Sequence, residues 1–83
     1  MSQRMMPIYF SFVDGDQFTT GAVLRDISMV SDADSEIICI DDIQRKLVSD
    51  EIKEFLNTPK GKEKYCQINL GELAMETYLL RRD

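Results

Sequence analysis

Histidine is absent from this sequence. With it go the commonest general base and the commonest metal ligand, so neither Cys–His nor Ser–His–Asp machinery can be assembled. Neither GxxxxGKS/T nor GxGxxG occurs, and the one basic turn, Pro59-Lys60-Gly61-Lys62, lacks the glycine spacing that cradles phosphate. The two cysteines, Cys39 and Cys66, make no disulfide framework and have no neighbouring His or Cys for a metal site. They read as free thiols of a reduced, cytoplasmic protein. No stretch approaches the roughly 18 apolar residues of a membrane span. The opening MSQRMMPIYFSF also lacks the apolar core of a signal peptide, so no membrane contact is expected.

The 83 residues suffice for one domain over 1–83, with residues 1–5 patternless and frayed. The hydrophobic fraction of 43% and charged fraction of 30% are those of a globular chain. The net charge of −5 argues against a nucleic-acid binder working through its overall field. Basic residues from Lys46 to Lys64 have only Phe55 and Tyr65 interleaved, too few aromatics for a base-stacking stripe. Acidity is concentrated in the first half: residues 1–42 hold eight acids and two bases (−6), whereas residues 43–83 hold seven acids and eight bases (+1).

Glu36 to Asn57 organises the rest. Ile37 to Ile40 is an apolar, β-branched run, the pattern of a buried strand. It breaks at Asp41-Asp42 into a helical stripe of Ile43, Leu47, Val48, Ile52, Phe55 and Leu56, predicting a main amphipathic helix over about 42–57 that Thr58-Pro59 stops. Asp41 stands at capping-box spacing from Gln44, and the paired aspartates suit the positive end of a helix dipole.

Upstream, residues 6–13 alternate as a strand, with Ile8, Phe10 and Phe12 on one face. Asp14-Gly15 is a hairpin signal, and a three-residue loop at 14–16 pairs Phe12 with Phe18 and keeps one apolar face. Residues 22–30 carry a helical stripe (Val23, Leu24, Ile27, Val30) but also read as a strand with a β-bulge near Arg25. The strand is preferred, because a loop at 31–35 then completes a three-stranded meander with Ile37–Ile40. Downstream, residues 60–64 read as a turn. Tyr65 to Leu70 makes a fourth strand, with Cys66, Ile68 and Leu70 on one face. Residues 72–83 are rich in helix formers, with acids first and Arg81-Arg82 last, and predict a short C-terminal helix. Apolar residues cover most of its circumference, so it is either a strand or a helix packing against two surfaces. The expected fold is α+β: a small antiparallel sheet, meander plus fourth strand, against one main helix.

For chemistry, the best remaining group is acidic. Asp41 and Asp42 end a hydrophobic strand and can hold Mg²⁺ with Asp14 and Asp16, but helix capping explains both without a metal. An EF-hand is excluded, because Ile37 and Ile43 replace its glycine and its bidentate glutamate. Neither catalytic residue, metal nor cofactor is expected. The leading expectation is a non-catalytic acidic protein-binding module, such as an inhibitor, immunity-type protein or adaptor. It would dock on a basic surface of a larger protein without touching nucleic acid, and in a sharper form would imitate nucleic-acid charge. The candidate contacts are Asp14, Asp16, Asp32, Asp34, Glu36, Asp41 and Asp42, with Met75, Tyr78 and Leu79 from the apolar tail. The alternative is a structural homodimer or assembly subunit using that tail. A small metal-dependent hydrolase at Asp41-Asp42 ranks third.

Overall fold

A computed structural model describes residues 8–82. The chain runs β1 (Phe10–Val13), α1 (Ala22–Asp32), β2 (Ile37–Asp41), α2 (Lys46–Asn57), α3 (Pro59–Lys64), β3 (Tyr65–Asn69) and β4 (Glu76–Arg81). It is an α+β fold with a mixed four-stranded sheet in the order β1-β2-β4-β3. β1 and β2 are parallel, and β4 is antiparallel to both of its neighbours.

The expected meander gives way to a β-α-β unit. Residues 22–32 are helical, because Val23 and Ile27 bury one stripe with no bulge required, and Gly21 at φ 90° supplies the left-handed turn that starts it. The Asp14-Gly15 hairpin does not form. Phe12 lies beside Cys39 instead of Phe18, and the Gly15 amide donates to Asp41 Oδ1 at 2.6 Å. Gly15 has no room for a side chain, since a Cβ there would lie 2.1 Å from the Asp41 carbonyl oxygen. The C-terminal helix is also replaced by a strand. β4 slots between β2 and β3, which explains apolar residues all round it: Leu79 faces the helices while Tyr78 and Leu80 face the other way.

α2 begins at Lys46, with Arg45 rather than Asp41 at its N-cap. Asp41 ends β2, and Asp42 turns the chain at φ 54°, a left-handed conformation that aspartate tolerates better than most residues. The expected turn at 60–64 is a short helix, α3. Thr58 Oγ1 accepts from the Gly61 amide, donates to the Phe55 carbonyl, and is followed by Pro59 at the first helical position. The frayed segment 1–5 and the first residues of the expected 6–13 strand lie outside the described residues.

One face of the sheet carries the core. Val13, Ile38, Ile40, Leu79 and Tyr65 pack against Val23 and Ile27 of α1 and Val48, Ile52 and Phe55 of α2. The Tyr65 and Phe55 rings are tilted, 6.1 Å apart. A buried carboxylate ties the two long helices together. Glu51 of α2 accepts the Gly21 amide at 2.6 Å and the Leu24 amide at 2.9 Å, capping α1 from outside its own segment. Beyond the sheet's other face the described residues place no helix.

Candidate interaction surface

Strand alternation determines what that second face carries. With Val13, Ile38, Ile40 and Leu79 turned inward, the register lines up Phe10, Ile37, Leu80 and Cys66 in one outward row across the sheet. Phe12, Cys39, Tyr78 and Ile68 form the next. Phe10 and Phe12 are 52% and 55% exposed, and Ile68 is 41% exposed. A sheet face with two neighbouring rows of apolar and aromatic groups and, among the described residues, no covering layer is unusual in a monomer, where such area is normally buried.

The polar groups of this face lie at its ends. A third row pairs Asp41 with Glu76 at one end. At the other, Arg82, just past β4, continues the ladder through its amide to the Lys64 carbonyl and donates from Nε to the Tyr65 carbonyl at 3.2 Å, leaving its terminal guanidinium nitrogens for a further acceptor. Glu76 accepts from the Tyr78 hydroxyl at 3.0 Å and lies 3.7 Å from the Cys39 thiol. The hydrogen bond to this carboxylate, with the charge beside it, favours the neutral phenol and pushes Tyr78 up to about 12. Burial, followed by the Glu76 charge, pushes the Cys39 thiol up as well. Both groups are neutral at physiological pH, and the shifts extend that neutrality to more alkaline pH. Cys39 is a buried, protonated thiol rather than a nucleophile, whereas Cys66 is exposed.

The acidic candidates divide into two groups. Asp14, Asp41 and Asp42 converge where the parallel strands end, with carboxylate oxygens within 4.8 Å of one another. Such a trio can accept a divalent cation. Each also has a local role: Asp14 Oδ1 accepts the Asp16 amide at 2.8 Å, Asp41 holds Gly15, and Asp42 makes the left-handed turn. Asp16 itself is exposed. The second group is already paired within the chain. Asp32 meets Lys60, Asp34 meets Lys64 at 2.7 Å, and Glu36 meets Arg81 at 3.5 Å, fastening the α1–β2 loop to α3 and β4. The hydrogen bond and charge of Lys64 hold Asp34 below the usual carboxylate range. Its φ of 62° gives aspartate a conformational reason to be there.

No protein-family model, curated protein or solved structure matches the chain.

Of the apolar candidates, Tyr78 stands in the open face, Met75 is exposed just before β4, and Leu79 is fully buried among the core residues. The Leu79 side chain is not available to a partner. Phe10, Phe12 and Ile68 were not among the sequence-derived contacts, although their alternation was visible; the missing information was which side the helices take. Glu51 likewise lies outside the sequence-derived candidates. Its signal is a carboxylate three residues after Val48 and four before Phe55, inside the apolar stripe of α2. A cleft of about 560 Å³ also opens between the start of α2 and the β3–β4 hairpin, lined by Gln44, Ser49, Lys53, Gln67, Asn69 and Glu72 among others. Its lining mixes these polar groups with the apolar side chains of Ile43, Ile52 and Ala74.

Proposed function

We propose that the chain is a non-catalytic protein-binding module, of the inhibitor or adaptor kind, that docks through the helix-free face of its sheet. The observation that carries this is the pair of half-exposed phenylalanines, Phe10 and Phe12, set in an unbroken apolar surface with charge only at its ends. Burying such a face is worth about 25 cal/mol per Å² before the costs of association. The partner's matching surface is apolar in the middle and basic where it meets Asp41 and Glu76. A basic surface is thus wanted at one end of the contact only. The Asp32, Asp34 and Glu36 carboxylates already have cations and contribute less to docking than their density in the sequence suggests.

Exposed aromatics on a four-stranded sheet also suit stacked bases. The acids at the end of this face and the overall charge of −5 repel a phosphate backbone, which favours protein over nucleic acid.

The test compares wild type with Phe12→Asp, and with Asp34→Asn as a control, for captured proteins and for mass in solution by light scattering. Both variants are first checked for native circular dichroism. Binding of any protein, whether another chain or the same one, is expected to fall at least tenfold in Phe12→Asp and to change little in Asp34→Asn. A folded Phe12→Asp protein that binds and weighs the same as wild type refutes the reading.

A further inference from the structure

We infer that the occupant of the open face is a second copy of this chain, stacked sheet to sheet with its strands antiparallel to those of the first. The inference rests on the reading of that face as the docking surface. Its basis is that the face is its own complement under a two-fold rotation. An axis lying between the sheets and perpendicular to the strands sets β4 over β4 in opposite directions. The row Phe10, Ile37, Leu80, Cys66 of one copy then lies over the row Phe12, Cys39, Tyr78, Ile68 of the other. Large groups meet smaller ones at two positions, Ile37 over Cys39 and Ile68 over Cys66. At both ends Arg82 of one copy comes over Glu76 and Asp41 of the other, so each acidic end receives the cation it lacks.

The other face-to-face rotation that keeps the strands of the two sheets aligned, with the axis along the strands, preserves strand direction and reverses the order across the sheet. It sets Glu76 of one copy over Asp41 of the other, acid against acid. Charge therefore selects the antiparallel stack.

The area is adequate for a reversible pair. The outward parts of Phe10, Phe12, Ile37, Ile68, Tyr78 and Leu80 offer on the order of 500 Å² per copy, near the lower limit for specific interfaces. Aligned sheets pack about 10 Å apart, the distance these side chains span. A dissociation constant of about 1–100 μM is expected.

The experiment is sedimentation equilibrium on the full chain from about 1 to 500 μM. Arg82→Glu and Glu76→Lys are each expected to weaken self-association about tenfold or more. The double variant R82E/E76K, which reverses both ends of every contact, is expected to restore it to within about threefold of wild type. Should Glu76→Lys not fold, Cys66 supplies an independent reading without any substitution. It lies at the rim of the stack, so a short bis-maleimide is expected to link two wild-type copies, and not two copies of Phe12→Asp. A monomer throughout the range, a double variant no tighter than its parents, or linking that ignores Phe12→Asp overturns the inference. A monomer whose binding to another protein still depends on Phe12 refutes only the second copy. A monomer indifferent to Phe12→Asp refutes the docking face too.

Discussion

Removing the Glu51 carboxylate tests whether α1 is held from outside its own sequence. Glu51 is 4% exposed and accepts two backbone amides at the positive end of α1, which otherwise has no side-chain cap. In Glu51→Gln one amide keeps a carbonyl acceptor, and the other faces an NH₂ group that cannot accept. An orphaned buried donor costs about 1–3 kcal/mol, and losing the charge at the helix terminus costs about 0.5–1 kcal/mol more. The expected loss is about 2–3 kcal/mol for Gln and about 4 kcal/mol for Ala, which orphans both amides and leaves a void. A domain of this size has roughly 4–12 kcal/mol in total, so Glu51→Ala removes a third of it or more. Urea unfolding followed by far-ultraviolet circular dichroism measures both changes. An unchanged urea slope would locate the effect in stability rather than in the unfolded ensemble. Amide exchange at Leu24 is expected to accelerate in both variants more than exchange in α2 does. A Glu51→Gln loss below about 0.5 kcal/mol, or unaltered exchange at Leu24, would refute the cap.

Gly61→Ala should reverse the usual helix preference. Alanine is favoured by about 1 kcal/mol in an open helix, but here its Cβ would lie 2.1 Å from the Phe55 carbonyl oxygen, so a loss of about 2 kcal/mol or more is expected in thermal melts. Tyr65→Phe should cost about 1–2 kcal/mol, since the hydroxyl donates to the buried Ser35 carbonyl; an unchanged melting temperature would argue that water replaces it. Tyr78 is pushed up to about 12, so the folded state retains a proton that the unfolded state loses near 10. Its contribution is therefore complete below about pH 10 and lost as pH rises towards 12. Burial raises Tyr65 as well, so a tyrosinate absorbance titration should show a late component that shrinks in Tyr78→Phe, and an unchanged late component in that variant would contradict it. Asp34 titrates below 3.8, so its contribution is present above that value and fades as pH falls through its lowered one. Asp34→Asn should flatten the acid limb of stability against pH, and an identical limb would sink the ion-pair account.

Legibility in the sequence followed the range of the forces involved. The Ile37–Ile40 strand, the end of α2 at Thr58-Pro59 and the Tyr65 strand were legible because apolar periodicity and proline act locally. The β-α-β crossover was not. Residues 22–30 satisfied both periodicities, and what favours the helix is the distant Glu51 carboxylate and the core beneath α1. The Asp14-Gly15 signal failed for a similar reason, since Asp41, far along the chain, holds that turn. For the candidate surface, the alternation of Phe10 with Phe12 and of Cys66 with Ile68 was visible, whereas its outward direction depends on where α1 and α2 pack. The acidic window was visible as charge, but its pairing with Lys60, Lys64 and Arg81 depends on tertiary structure.

β4 lies between β2 and β3 although it is the last of the described elements to be synthesised. A nascent chain that has reached only Leu73 holds a parallel pair, β1 with β2, and a β3 segment with no strand beside it. Neither side of the gap can borrow hydrogen bonds from the other until Glu76 to Arg81 arrives and serves both at once. Folding on the ribosome therefore cannot proceed strand by strand from the N-terminus. Sheet closure is a late, long-range event, and until it happens two unpaired strand edges are open to other nascent chains.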